Sequence, residues 1–204
     1  MTVDRSVWYC QGMAADVTER LSARDRLLAS ANELFYREGV HTVGIDRVIA
    51  HAGVAKATLY NAFGSKDGLI TAYLRGRNEI SRERILRHVE RVEAPCERLL
   101  AVFDALGESI VQPGFHGCAL VNASAEASSE GPIHEAAAEH REWLRRLFVD
   151  LGRDAGAGDP ERLAGQLVLL YDGASISARM DSNLAAAASA RVVAEVLVDA
   201  AISR

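Results

Sequence analysis

Between Leu34 and Leu69 the chain reads LFYREGVHTVGIDRVIAHAGVAKATLYNAFGSKDGL, a run that restricts the possible folds more than any other. Ile45, Val48, Ile49 and Ala52 recur at steps of three and four, the spacing that lines up one face of an α-helix. Gly53 follows, and a residue without Cβ lets the chain turn sharply. Leu59 and Phe63 make a second inward stripe, which Tyr60 joins if it is core rather than contact, ended by Gly64-Ser65. This spacing predicts short helices at about 45–52 and 55–62, the second carrying Lys56, Thr58, Tyr60 and Asn61 outward. Two short amphipathic helices joined by a tight turn form a helix-turn-helix, whose second helix enters the DNA major groove.

The flanks extend the helical pattern. Ser22 followed by Asp25 reads as a capping box, and Leu27, Leu28, Ala31, Leu34 and Phe35 keep one apolar face up to Gly39, which predicts a helix over 23–38. From 66 to 92, Leu69, Ile70, Tyr73, Leu74, Ile80 and Ile85 point inward and six arginines run from Arg75 to Arg91, as in a helix linking two units. Beyond Pro95, helices are predicted at about 96–111, 118–129, 132–154, 160–180 and 184–202, punctuated by Pro113-Gly114, Gly131-Pro132, Gly156-Ala157-Gly158 and Pro160. Proline is scarce and strand-like alternation is hard to find, so the fold is expected to be all-α, with a three-helix N-terminal domain and a larger helical domain. The last two helices mix Leu and Val with many Ala, Gly and Ser. Small residues allow close helix approach, so the pair is expected to form a four-helix bundle with a second copy, or else an intramolecular hairpin. Residues 1–20, with Trp8 and Tyr9, show no periodicity and read as an extension or as an arm touching DNA or a partner subunit.

A net charge of −5 argues at first against a phosphate-binding protein. The distribution answers the objection: residues 23–91 hold 12 Lys and Arg against 8 Asp and Glu, net +4, while 92–204 hold 9 against 17, net −8. No run of 18 uncharged apolar residues exists, and the first 22 residues lack the basic start and apolar stretch of a signal peptide, so a cytoplasmic protein is expected. Cys10, Cys96 and Cys118 are far apart and odd in number, which favours reduced thiols over disulfides or a zinc module. There is no G-x-S-x-G, phosphate loop, H-E-x-x-H or strand-linked Gly-rich fingerprint, so neither an enzyme nor a cofactor is indicated.

Leu34-Phe35 with Gly39, Ala52-Gly53-Val54, Lys56, Thr58-Leu59-Tyr60, Phe63, and Lys66 with Leu69 recur in the order of one known domain. Over Ala31 to Leu74 the chain resembles the DNA-binding domain of the TetR family of bacterial transcriptional regulators. The resemblance implies an all-helical homodimer that usually represses transcription and releases its operator when a small molecule enters the C-terminal domain. It implies an extension over 1–21, a helix-turn-helix domain over 22–65, a connecting helix over 66–92, and an effector-binding and dimerisation domain over 93–204. Tyr60 and Lys66 would meet phosphates, and Ala55, Lys56, Ala57, Thr58 and Asn61 would face base edges. Those roles suit the chemistry. Ammonium and phenol groups bind phosphate, Asn pairs with adenine, and methyl groups meet thymine. Leu59 and Phe63 read as core, and Tyr60 as a contact or as core with its hydroxyl at the rim. Two departures stand out, Gly44 where the family often has Thr or Ser capping the second helix and Ala55 where a Ser often opens the third; Thr42 is a possible substitute for the first.

The segment GFHGCALVNASAE, Gly114 to Glu126, resembles one found in a subgroup of these regulators and suggests a helix lining the ligand-binding domain. Candidate pocket walls are Phe103, Phe115, His116, Cys118, Asn122, Trp143, Leu147 and Tyr171, polar and aromatic residues on otherwise apolar helices. Cys118 beside His116 reads as a thiol sensor or as a small buried hydrophobe. His116, Cys118, His134 and Glu135 match no compact metal-ligand spacing. The competing functional reading is a small-molecule or thiol-sensing protein with weak or lost DNA binding, motivated by Gly44 and Ala55.

Overall fold

Ser22 opens the first helix as its spacing to Asp25 predicts: its Oγ accepts the Asp25 backbone N–H at 3.1 Å and donates to the Asp25 carboxylate at 2.7 Å. The computed structural model describes residues 21–126 and 130–202. The expected extension, with Trp8, Tyr9 and Cys10, lies outside the described residues except for Leu21. Among the described residues there are nine helices and no strand: α1 Ala23–Glu38, α2 Ile45–Ala52, α3 Lys56–Phe63, α4 Lys66–Glu90, α5 Pro95–Ile110, α6 Ala119–Glu126, α7 Pro132–Asp154, α8 Pro160–Met180 and α9 Ala186–Ile202. The all-α expectation therefore holds, and each helix was placed by periodicity and punctuation to within a few residues. Of the predicted 118–129 helix, residues 127–129 lie outside the described ones.

The chain divides into two compact units that are not consecutive in sequence. One comprises the described residues up to Glu79 together with Ala119–Ala137, and the other Ile80–Cys118 with the chain from Ala138 onward. α6, read from sequence as a helix lining the ligand-binding domain, forms as predicted but groups with the helix-turn-helix unit.

In the first unit Leu27, Leu28 and Ala31 of α1, Val48 of α2, Leu59 of α3, and Leu69, Ile70 and Tyr73 of α4 are buried. Each large side chain so buried stabilises the unit by about 1.5–3 kcal/mol relative to exposure. Tyr73 meets Phe35 edge-on, with ring centroids 5.7 Å apart. Val40 and Val43, in the loop between α1 and α2, are buried too and hold that loop to the core.

The second unit is built on α5, whose Leu99, Leu100, Val102, Phe103, Leu106 and Ile110 share one core with α8 and α9. Phe103 sits between Phe148 and Tyr171, with centroids at 6.0 and 6.2 Å. Arg191 of α9 ties to α5 through Glu97 at 2.7 Å and Asp104 at 3.2 Å. Glu108 of α5 receives His88 and Arg87 of α4, both at 2.6 Å. Burial alone raises the Glu108 carboxyl, but those two hydrogen bonds outweigh it and hold the group below the usual range.

Candidate nucleic-acid interface

The tight turn is made as its sequence requires. Gly53 adopts φ 61° and ψ 42°, a left-handed conformation that L side chains resist, and its N–H bonds back to the carbonyls of α2. With Val48 and Leu59 fully buried beneath, the opposite face of α3 has nowhere to go but outward. Ala55, Lys56, Ala57, Tyr60 and Asn61 are exposed and Thr58 is half-buried. Tyr60, left open between core and contact, has 46% of its surface accessible. Phe63 is partly buried, with the Arg24 guanidinium 5.0 Å from its ring centre.

The two departures are visible as uncapped helix starts. Gly44 and Ala55 are the N-caps of α2 and α3, both with extended backbone, and neither helix has a side-chain cap. Thr42 is exposed two residues before Gly44. At the start of α4 the hydroxyl is present: Ser65 Oγ accepts the Gly68 N–H at 3.0 Å, with the half-buried Lys66 next to it. The positive end of a helix with a lysine in its first turn makes an environment that favours an anion.

Charges on this surface are arranged in pairs. Lys56 Nζ donates to Asp46 Oδ1 at 2.9 Å, and that hydrogen bond raises the ammonium above its ordinary value. Arg47 binds Glu38 through two nitrogens, which lowers the Glu38 carboxyl. Pairs this exposed are screened by solvent and contribute little to stability, so a phosphate can replace the carboxylate at little cost. Inside the surface, Arg26 donates to the Ala52 carbonyl at 3.3 Å and the Leu21 carbonyl at 3.2 Å, bracing the end of α2 from α1. His51 Nδ1 lies 3.0 Å from Ser30 Oγ. Sequence reasoning assigned no role to Asp46, Arg47 or Arg26. The signal for Asp46 was its sign, an acid in the first turn of α2 with a lysine just beyond the turn.

The candidate pocket residues do not all share a unit. Phe103 and Tyr171 are packed together in the second unit, where burial pushes the Tyr171 phenol well above its usual range. Cys118 and Ser81 are near enough to this phenol to affect its titration. Trp143 stacks on His140 and carries the Arg82 guanidinium 4.9 Å from its ring centre. Leu147 follows one turn on, partly buried, as are Phe115, His116 and Cys118 in the loop before α6. His116 Nδ1 is 2.7 Å from the Gly114 carbonyl. Asn122 is separate from these, on α6 in the first unit. Among the described residues no three His, Cys, Asp or Glu side chains gather as a metal site, and no helix is long and apolar enough to cross a membrane.

Comparison with known proteins agrees with this architecture. Residues 27–73 match the family model described as bacterial regulatory proteins of the tetR family, and residues 95–194 match a tetracyclin repressor-like C-terminal domain. A TetR-family transcriptional regulator from Streptomyces coelicolor is 35% identical, superposes with a TM-score of 0.84, and is covered over 95% of its chain by 88% of this one. A TetR-type regulator from Streptomyces avermitilis is 32% identical at a TM-score of 0.80, covering 89% of this chain and 98% of its own. A helix-turn-helix transcriptional regulator of Mycobacterium tuberculosis is 38% identical over 90 residues, 41% of this chain and 44% of its own length. With a helix-turn-helix whose outer face is open and matches of this extent over both parts, the chain belongs to the TetR family of DNA-binding transcriptional regulators, and it is not an enzyme.

Proposed function

We propose that the protein is a homodimeric repressor that binds a palindromic operator with one α3 per half-site and releases it when a small molecule binds the second unit. The observation that carries the DNA-facing part is the outer face of α3, with Lys56, Tyr60 and Asn61 exposed over a buried Leu59. In this reading Thr42, Gly44, Tyr60 and Lys66 meet the backbone, and Ala55, Lys56, Ala57, Thr58 and Asn61 meet base edges. Phosphate contacts set register while base-edge contacts select sequence, so the cationic and phenolic groups govern affinity and the small side chains govern choice.

Dimerisation is supported by the outer faces of α8 and α9. Leu169, Ile176 and Met180 recur along one stripe of α8 and are 47–77% exposed, and Val192, Val193 and Val196 are 49–64% exposed on α9. Gly165 and Gly173 lie on the α8 stripe with nothing within 4 Å of where a Cβ would stand, so a second backbone can approach closely. An apolar face this continuous favours a self-complementary interface. Release follows from linkage: a ligand that binds better to a dimer with mis-spaced α3 helices weakens operator affinity by its differential affinity. Phe103, Phe115, His116, Cys118, Trp143, Leu147 and Tyr171 are the candidate contacts in the second unit, with Asn122 on α6.

The deciding experiment is binding of purified protein to DNA from its own promoter region at low salt, read by fluorescence anisotropy. Saturable binding, lost when the palindrome in that duplex is scrambled, is expected. No binding above that of an unrelated duplex would overturn the reading.

A further inference from the structure

α6 ends on a carboxylate that grips the loop between α1 and α2. Glu126 Oε2 accepts the backbone N–H of His41 at 3.0 Å, a bond between residues 85 apart in sequence but inside one compact unit. The loop is shaped to receive it. Gly39 has φ +95°, and a Cβ there would lie 2.6 and 2.8 Å from the two Glu126 oxygens, so the carboxylate fills the place a side chain would occupy. Glycine at 39 thus serves two ends, the left-handed exit from α1 and the close approach of an acid from α6. The same loop carries Thr42 and Gly44, and it is pinned from beneath by the buried Val40 and Val43. Its upper side is held by Glu126.

We propose that Glu126 is a positioning residue for DNA recognition: by holding the His41 amide it fixes the α1–α2 loop, and through it the start of α2 and the backbone of Thr42 and Gly44. The assignment rests on the DNA-binding reading above. It gives a role to the acid that closes the Gly114–Glu126 segment, which sequence reasoning had assigned only to pocket lining. Cys118 belongs to the second unit and Ala119 to the first, so this contact lies at the end of the segment by which the chain enters the DNA-binding unit. A displacement of α6 loosens the loop, and a loop seated on DNA holds α6.

The test compares E126A, which removes the acceptor, with E126Q, which keeps an acceptor oxygen and drops the charge, both in the full-length protein. Readouts are amide exchange of His41 by NMR, the thermal midpoint, and affinity for a duplex selected by the wild-type protein from a random-sequence pool. In E126A the His41 amide should exchange about tenfold faster and affinity should fall about fivefold, the scale of one exposed charge-assisted hydrogen bond. E126Q should recover most of both, with thermal midpoints of all three proteins within about 2 °C. His41 exchange that does not move in E126A overturns the proposal, as does affinity that falls only in step with thermal stability. Affinity that rises equally in both variants also overturns it, because loss of a negative charge near phosphate is then the whole effect. If the wild-type protein selects no duplex, the DNA-binding reading itself fails and this assignment falls with it; selection by wild type beside an unmoved E126A overturns this assignment alone.

Discussion

Ala55 and Gly44 occupy helix N-caps in the extended conformation a Ser would adopt, with φ of −74° and −73°. A55S should therefore supply the missing acceptor to α3 and stabilise the fold by about 1 kcal/mol, raising the melting midpoint by about 2–4 °C. At Gly44 a Cβ finds only open space, so G44S should gain about 0.5–1 kcal/mol from the cap and from a less flexible unfolded chain, measured by urea titration. A third residue-scale prediction concerns acid. His140 is buried beside Arg82 and Arg141, and desolvation first, then those two charges, lower its imidazole to about 4. The unfolded chain binds a proton below pH about 6.5 while the folded chain declines it until about pH 4, so stability falls with acid across that window. The loss from about pH 7 to about pH 5 should be about 2 kcal/mol, and H140L should flatten that part of the profile in urea melts. Neither Arg82 nor the burial of His140 could be read from sequence, because both depend on how α4 and α7 pack.

At the scale of the element, α3 is where sequence and structure agree most closely. Steps of three and four with Leu59 inward left one outer face, and the two flanking glycines bounded it, so Lys56 and Asn61 were legible as a surface, whereas the exposure of Tyr60 was settled only by the fold. K56A/Y60A should weaken operator binding by about 10- to 100-fold and lower the slope of log affinity against log salt by about 1, while leaving the fold intact. Competition titrations at several salt concentrations measure both. α6 was legible only as a helix. Its eight residues hold a moderate apolar fraction that suits a ligand-domain wall as well as it suits packing with the first unit, and local periodicity carries no information about which. The buried Val40 and Val43 were missed for a related reason. They lie in a loop, where neither the 3.6 nor the 2 residue period applies, and only the tertiary fold shows them facing the core.

For the whole molecule, the charge asymmetry between a net +4 stretch at 23–91 and a net −8 stretch beyond is the feature that composition alone revealed. It does not follow the units: residues 21–79 with 119–137 hold 8 Lys and Arg against 9 Asp and Glu, because Arg82, Arg84, Arg87 and Arg91 fall in the second unit and Glu126, Glu130 and Glu135 in the first. Attraction to phosphate therefore rests on the local cations of the α3 face. The dimer reading belongs to this scale as well. L169R/V196E places charges on both exposed apolar stripes and should shift the protein to monomer in light scattering, with operator affinity reduced at least about tenfold as the two half-sites lose their linkage. The interleaving of the two units in sequence has one more consequence. Because Ala119–Ala137 completes the unit that holds α1 to α3, neither unit is a contiguous piece of chain. A recombination event that exchanged everything after α4 with a relative would import a foreign α6 against a native α1–α2 loop. Shuffling of this chain's DNA-reading head is thus constrained: it travels intact only with its α6, and a single crossover after α4 leaves it with a borrowed carboxylate or none.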